Sequence, residues 1–293
     1  MNLSTFIVTV FTFIDDWFIA QPQPLRQRGP APVLLDSEVL TMEVVGDFLG
    51  LNTDQELFAY FRRHWPHYFP RLGHVHRTTF VRQTANLWAV KRQLWRRLLD
   101  DIRYDPAVSI IDSLPVPVCR WARAPRCRRL RECSGYGHDE VAGQLFFGLR
   151  AHVRLSWPGV ITDFDLAPAD VHEIHLAEPL LADAYGWALA DRNYWSPELT
   201  RRLGDHDLHL LAPFRSKKRE KSPWPLWLKQ KRYRIETVFS QLVERFQVKR
   251  VWARDRWHLC SRWLRTVLSH TFAVYLSQQN GLSSLRFAQL LSD

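Results

Sequence analysis

Cysteine is scarce in this sequence. Four residues, Cys119, Cys127, Cys133 and Cys260, are spread over 293 positions, too few for a disulfide scaffold. None belongs to a Cys-x-x-Cys pair, so the proximity of His138 to Cys127 and Cys133 makes a poor zinc site, and free thiols in a reducing, cytoplasmic setting are expected. Long apolar runs are also lacking. The run at the start, Leu3 to Ile14, is twelve residues, short of the roughly 20 that span a bilayer. No basic stretch precedes it and no small-residue cleavage site follows, so a buried helix is expected there instead of a signal or anchor, with no membrane partner. Internal repeats are absent. Acidic residues are too few to balance the basic ones: 30 Asp and Glu stand against 40 Lys and Arg, a net charge of +10 and a sequence pI near 9.8. That imbalance favours an anionic partner, nucleic acid first. It is also what a basic structural or ribonucleoprotein component would carry.

What is present divides the chain in three. A Pro-rich stretch, Gln21 to Pro32, follows the first helix. Asp36 is placed to cap a helix over 38–49, and Thr53 with Glu56 forms a capping box for a second. A third is expected from about Thr79 to Asp101, with Leu87, Leu94 and Leu98 on one side and Lys91, Arg92, Arg96 and Arg97 on the other. Three short helices with one basic face read as a helix-turn-helix-like DNA-binding region over 1–104, although a plain bundle with a solvated face has the same pattern. From Tyr104 the pattern becomes β-branched. Strands are expected at 108–111, within 145–155, at 160–166, 187–190 and 208–213, with helices over 171–185, 197–203 and 234–246. Such alternation implies a mixed α/β sheet with flanking helices over 105–250, and by analogy the element order resembles that of the RNase H fold. A helical tail, 251–293, completes the chain.

Three carboxylates stand out within the α/β region. Asp112 and Asp191 each follow a short apolar strand, which puts both at one sheet edge if the strands are neighbours. Glu236 adjoins Ile235, the first of the stripe Ile235, Phe239, Leu242 and Phe246, and is therefore about 100° around the helix from the buried face. Convergent carboxylates repel unless a cation lies between them, and oxygen-only ligands suit Mg²⁺ or Mn²⁺. Two such ions clamp the attacking and leaving oxygens of a phosphoryl displacement. Taken singly, each residue has a plainer reading, since an Asp after a strand also caps turns and a Glu near a helix start also complements the dipole.

The segment Ile111-Asp112-Ser113-Leu114-Pro115-Val116-Pro117-Val118-Cys119 resembles the first-aspartate motif of bacterial insertion-sequence DDE transposases, and insertion-sequence family 982 most of all. Phe147-Gly148-Leu149-Arg150-Ala151-His152 is similar to that family's following strand, Ala190-Asp191-Arg192-Asn193-Tyr194 to its second-aspartate motif, and Arg232 through Leu242 to its glutamate helix. The segments Ile14 to Phe18 and Asp36 to Glu38 extend the resemblance along nearly the whole chain. It implies an RNase H-like catalytic core with Asp112, Asp191 and Glu236 as catalytic and metal-binding triad for two Mg²⁺ or Mn²⁺ ions. Arg232 is implied to meet a phosphate. Cleavage at transposon ends and strand transfer into target DNA are the implied reactions, with double-stranded DNA bearing terminal inverted repeats as partner, a homodimer or larger complex on that DNA, and a bacterial, nucleoid-associated location.

Two basic stretches flank these motifs: Arg120, Arg123, Arg126, Arg128, Arg129 and Arg131, expected as a loop beside Asp112, and a run that includes Lys217, Lys218, Arg219, Arg232 and Arg234. Both are expected to meet DNA phosphates, with Trp121 or Trp224 available to stack on a splayed base. The sequence departs from the family pattern at Val243, where a Lys is common (Lys249 comes later), at His172-Glu173, where a His-Asp pair is usual, and at Asn193, where Gly is more usual. A catalytically inactive or domesticated DNA-binding protein of the same fold, or another RNase H-like metal nuclease, has the same pattern.

Overall fold

The computed structural model describes residues 1–22, 31–214 and 226–291. In chain order come helices α1 (Leu3–Ile19), α2 (Asp36–Phe48), α3 (Asp54–His64), α4 (Arg77–Asn86) and α5 (Trp88–Leu99), then strands β1 (Asp105–Arg120), β2 (Gly135–Asp139), β3 (Gln144–Trp157) and β4 (Val160–Pro168). Helix α6 (Ile174–Leu180), β5 (Gly186–Leu189), α7 (Pro197–Gly204), β6 (Leu208–Leu211), α8 (Leu226–Glu244) and α9 (Arg256–Gln279) follow. The chain forms two compact units, one of residues 1–102, 244–248 and 252–293, the other of 103–243 and 249–251. No described helix is long and apolar enough to cross a membrane.

The helical unit is built around α9. Expected as part of a separate tail, that helix instead buries Leu264, Val267, Leu268, Phe272 and Val274 as it packs on α2 and α5. Helix α1 buries Phe6, Ile7, Val10 and Ile14 at helical spacing. The Thr53–Glu56 box forms as the sequence predicts, with the Glu56 N–H donating to Thr53 Oγ1 at 3.1 Å and the Thr53 N–H to Glu56 Oε2 at 3.0 Å. Asp36, expected as a cap, is the first residue of α2 and accepts from Gln83 at 2.7 Å.

The expected third helix breaks at Leu87, and Lys91 explains the break. Its ammonium is fully buried, paired with Glu43 at 2.6 Å, and donates to the Thr84 carbonyl at 3.1 Å. The same carbonyl accepts from Ser261 Oγ at 3.0 Å. In an unbroken helix that oxygen would accept from the Trp88 N–H. Lys91 is therefore not on a basic surface, contrary to the sequence reading. Arg265 on α9 is buried with it, within 2.8 Å of Asp54 and 3.3 Å of Asp47. Burial raises the carboxyls of Glu43 and Asp47 and lowers Lys91, and the ion pairs oppose each shift.

The second unit is a curled sheet ordered β4-β3-β1-β5-β6, antiparallel across β4, β3 and β1 and parallel across β1, β5 and β6. This is the RNase H-like arrangement. Strand β3 is long enough to take two partners on one edge, β2 along 144–148 and β4 along 149–156. At Gly148 a side chain would press on the Val116 carbonyl of β1, its Cβ 2.4 Å from that oxygen, so only glycine fits. Helices α6 and α7 cover the sheet with Ala177, Leu181, Leu199 and Leu203, packed on Ile111, Ala188, Ala190, Leu208 and Leu210. Helix α7 opens on Ser196, whose Oγ accepts from the Leu199 N–H, followed by Pro197 at the first helical position.

Candidate active site

Strand β1 does not end at Asp112 but continues for eight residues, through Pro115 and Pro117 to Arg120. Proline is tolerated there because β5 pairs with β1 only along 108–110, leaving the later half of β1 with β3 alone. The parallel register pairs Ile110 with Leu189. Asp112 and Asp191 each stand two residues beyond that last pair, where the two strands part. Adjacent strands lie about 4.8 Å apart, so the crevice between them has a carboxylate on each wall.

Each aspartate is fixed by backbone. Asp112 Oδ1 accepts from the Ser113 N–H at 2.8 Å. Asp191 caps the short 3-10 turn Arg192–Tyr194, accepting from the Asn193 N–H at 2.8 Å. The carboxyl of Asp112 is pushed up to about 7, first by burial, then by the charges of Asp191 and Glu173, against the pull of the Ser113 N–H and Arg232. Asp191 is raised by burial and then by Glu173, against the Asn193 N–H and Arg232. Both shifts describe negative charge crowded into a poorly solvated crevice.

Glu173, just ahead of α6, is the carboxylate that the sequence reading treated only as a departure from pattern. Its Oε1 accepts from Ser113 Oγ at 2.6 Å and from Arg150 at 3.2 Å, while its buried Oε2 has no partner. Arg150 also donates to the His138 carbonyl at 2.7 Å, tying β3 to β2. Buried Tyr194 feels all three acids: burial, then Glu173, Asp112 and Asp191, raises its hydroxyl. His152, paired with Ser113 across the ladder, is fully buried and lowered to about 4 by burial, hence neutral.

Helix α8 starts eight residues earlier than the sequence suggests, so Glu236 lies mid-helix and exposed. Its buried stripe is Leu228, Ile235, Val238 and Leu242. Arg232, whose charge reaches both aspartates, precedes Glu236 by one helical turn and shares its face. The structure thus brings Asp112, Asp191, Glu173 and Arg232 together. Among the described residues no group of three or more His, Cys, Asp or Glu side chains is spaced to hold a metal ion, and Glu236 does not close such a group.

The arginine stretch is not beside Asp112. At about 3.3 Å per residue, eight residues of strand put Arg120 about 26 Å from it. Arg120 at the end of β1, Arg123 and Arg126 on one 3-10 turn, Arg128 after it and Arg131 at the start of a second are exposed. Arg129 is instead spent on structure, donating to the Val118 carbonyl at 2.6 Å and the Val251 carbonyl at 2.8 Å. Arg234 lies 5.2 Å and Lys231 3.6 Å over the ring of Trp157. Lys217, Lys218, Arg219 and Trp224 lie outside the described residues.

The transposase DDE domain family matches residues 104–256, just over half of the chain and all of the sheet described above. The chain belongs to the DDE transposase family. It is a DNA transposase, and enzymes of this family use divalent metal ions. No curated protein matches the transposase. Among solved structures it is similar to a piggyBac transposase synaptic complex with hairpin DNA, seen by cryo-EM, at 11% identity and a TM-score of 0.49, covering 98% of this chain and 76% of that one.

Proposed function

We propose that the chain is the transposase of a bacterial insertion sequence, most similar to insertion-sequence family 982. On this reading it cuts the 3′ ends of double-stranded DNA at terminal inverted repeats and joins them to target DNA. It works as a homodimer or larger complex on paired ends, within the nucleoid-associated cytoplasm. The observation that carries the reading is the parallel β1–β5 register, with Asp112 and Asp191 each two residues past its last pair and their carboxyls raised first by burial, then by Asp191 for Asp112 and by Glu173 for Asp191.

A divalent metal fits this crevice, because buried carboxylates with raised proton affinity and the orphaned Glu173 Oε2 form an oxygen-only donor set short of positive charge. Asp112, Asp191 and Glu236 would hold two Mg²⁺ or Mn²⁺ ions, which would supply water activation and charge stabilisation for an in-line displacement. The chain's own groups do the rest. Arg232 offsets phosphate charge beside the aspartates, Arg150 and Glu173 hold Ser113 and so the Asp112 backbone, and the exposed arginines of 120–131 bind duplex phosphates away from the cut. Region 1–104 adds DNA contacts without chemistry. A second reading makes Glu173 the third metal ligand in place of Glu236, supported by its unpartnered Oε2 and its coupling to both aspartates.

The test incubates the full chain with its own element's end sequences, a target plasmid and Mg²⁺. Joined products are expected. Nicks without joining would identify a nuclease, and binding without nicks a DNA-binding protein that has lost catalysis. Glu173→Gln and Glu236→Gln then separate the two ligand assignments, since loss of a metal ligand abolishes nicking and weakens Mn²⁺ binding, whereas loss of a support for Ser113 leaves Mn²⁺ affinity unchanged.

A further inference from the structure

Within the helical unit lies a cavity of about 660 Å³, inside the range of roughly 300–1,000 Å³ typical of small-ligand sites. Arg77, Arg82 and Arg254 line it from exposed positions, together with Trp252, Trp257 and one carboxylate, Asp255, which is held by the N–H and ring of His258. These two tryptophans keep 53% and 48% of their surface exposed, and Trp88 braces Trp257 edge-on at 5.5 Å between ring centres. Deeper, Glu43 and Asp54 present carboxylates, and Glu43 Oε2 has no hydrogen-bond partner. Arg262 also lines the cavity, half-buried, and donates no hydrogen bond among the described residues.

We infer that this cavity receives a single unpaired nucleotide of a DNA strand, its base stacked on the rim tryptophans and its phosphate held by the rim arginines. The inference rests on DNA being the substrate, as proposed above. The combination of exposed arginines and an unpartnered buried acceptor decides the ligand class. A lone inorganic phosphate is satisfied by the arginines but leaves Glu43 Oε2 without a neutral donor. A nucleotide matches both, because its phosphate stays at the rim while a neutral base, with N–H donors on its edge, faces Glu43 and Asp54. Exposed aromatic rings among arginines are what base stacking uses, and stacking tolerates any base. Burial and the neighbouring Arg265 lower Arg262 to about 10, so an incoming phosphate also relieves a guanidinium that lacks a hydrogen-bonded partner. A duplex does not enter, since its bases are stacked and paired, whereas a frayed or overhanging strand end does.

The experiment measures binding of the full chain to a blunt duplex and to the same duplex with a three-nucleotide single-stranded overhang, by fluorescence anisotropy at fixed salt. The overhang is expected to bind about tenfold tighter. Trp257→Ala and, separately, Arg254→Ala are expected to erase that preference while leaving blunt-duplex affinity within twofold. Both residues are exposed, and thermal melts confirm that each variant is folded; either one suffices. Equal affinity of the wild-type chain for both DNAs overturns the inference, as does an overhang preference that survives both substitutions. Competition by free deoxynucleoside monophosphate as strong as by the overhang also overturns it, in favour of a free-nucleotide site. Failure to bind even the blunt duplex would instead count against the DNA reading itself.

Discussion

Asp112 shows how a single side chain can be simple in type and unusual in setting. Its folded pKa, about 7, lies above the unfolded carboxylate value of about 3.9. Between those pH values the folded chain holds a proton that the unfolded chain has released, so this residue's contribution to stability is full below about 4 and is lost as pH rises through about 7. The metal-free wild-type chain should therefore lose, relative to Asp112→Asn, a few kcal/mol of stability between pH 5 and pH 8. Saturating Mg²⁺ should flatten that difference, since the ion favours the ionised form. Melting curves of the two proteins across pH check this, and parallel profiles would show that the site does not crowd charge on Asp112. The aspartates were legible in the sequence because each ends or interrupts an apolar strand within a specific motif. Glu173 was not, because it sits in a turn, and only the fold brings that turn over Ser113; the pair His172-Glu173 was the one available signal. Lys91 was misjudged for a related reason, since periodicity assigns faces but cannot reveal that a buried Glu43 awaits a cation.

Elements were better read in kind than in extent. The order of strands and helices in the sheet unit follows from apolar periodicity and turn residues. β1 outruns its apolar core because pairing with β3 continues through Pro115 and Pro117, residues that argue against a strand unless one edge is unpaired. That extra length carries the arginine stretch away from Asp112. β2, with the sequence Gly-Tyr-Gly-His-Asp, has two glycines and little strand propensity, and forms because β3 extends past β4. The arginines then divide by contact. Changing Arg123, Arg126 and Arg128 together to Ala should weaken DNA binding at least tenfold and leave the melting temperature nearly unchanged. Arg129→Ala should do the reverse, costing about 1–3 kcal/mol by stranding the Val118 and Val251 carbonyls. Binding isotherms and thermal melts on both proteins check the division; a stable Arg129→Ala chain with weakened binding would return that residue to the DNA surface.

At the scale of the whole molecule, the chain is two units whose boundaries do not follow three consecutive segments. The C-terminal segment was expected as a tail because nothing in a linear pattern says which earlier helices an apolar helix will cover. Helix α9 supplies the middle of the helical unit, against α2 and α5. A fragment ending at Asp101 should therefore lack a cooperative melt by circular dichroism and expose apolar surface to a dye, whereas the full chain melts cooperatively. A folded fragment would show that α9 is dispensable there. The central claim is that Asp112, Asp191 and a third carboxylate from α8 form the cutting centre of a DNA transposase. The most direct measurement is single-turnover cleavage of terminal-repeat DNA in Mg²⁺ by the full chain and by Asp112→Asn, Asp191→Asn, Glu236→Gln and Glu244→Gln. The account predicts that the first three variants bind DNA normally yet cut slower by several orders of magnitude. Glu244→Gln, two turns beyond Glu236 on α8, should cut at the wild-type rate. A Glu236→Gln or Asp112→Asn protein that cuts as fast as the wild-type chain would contradict it.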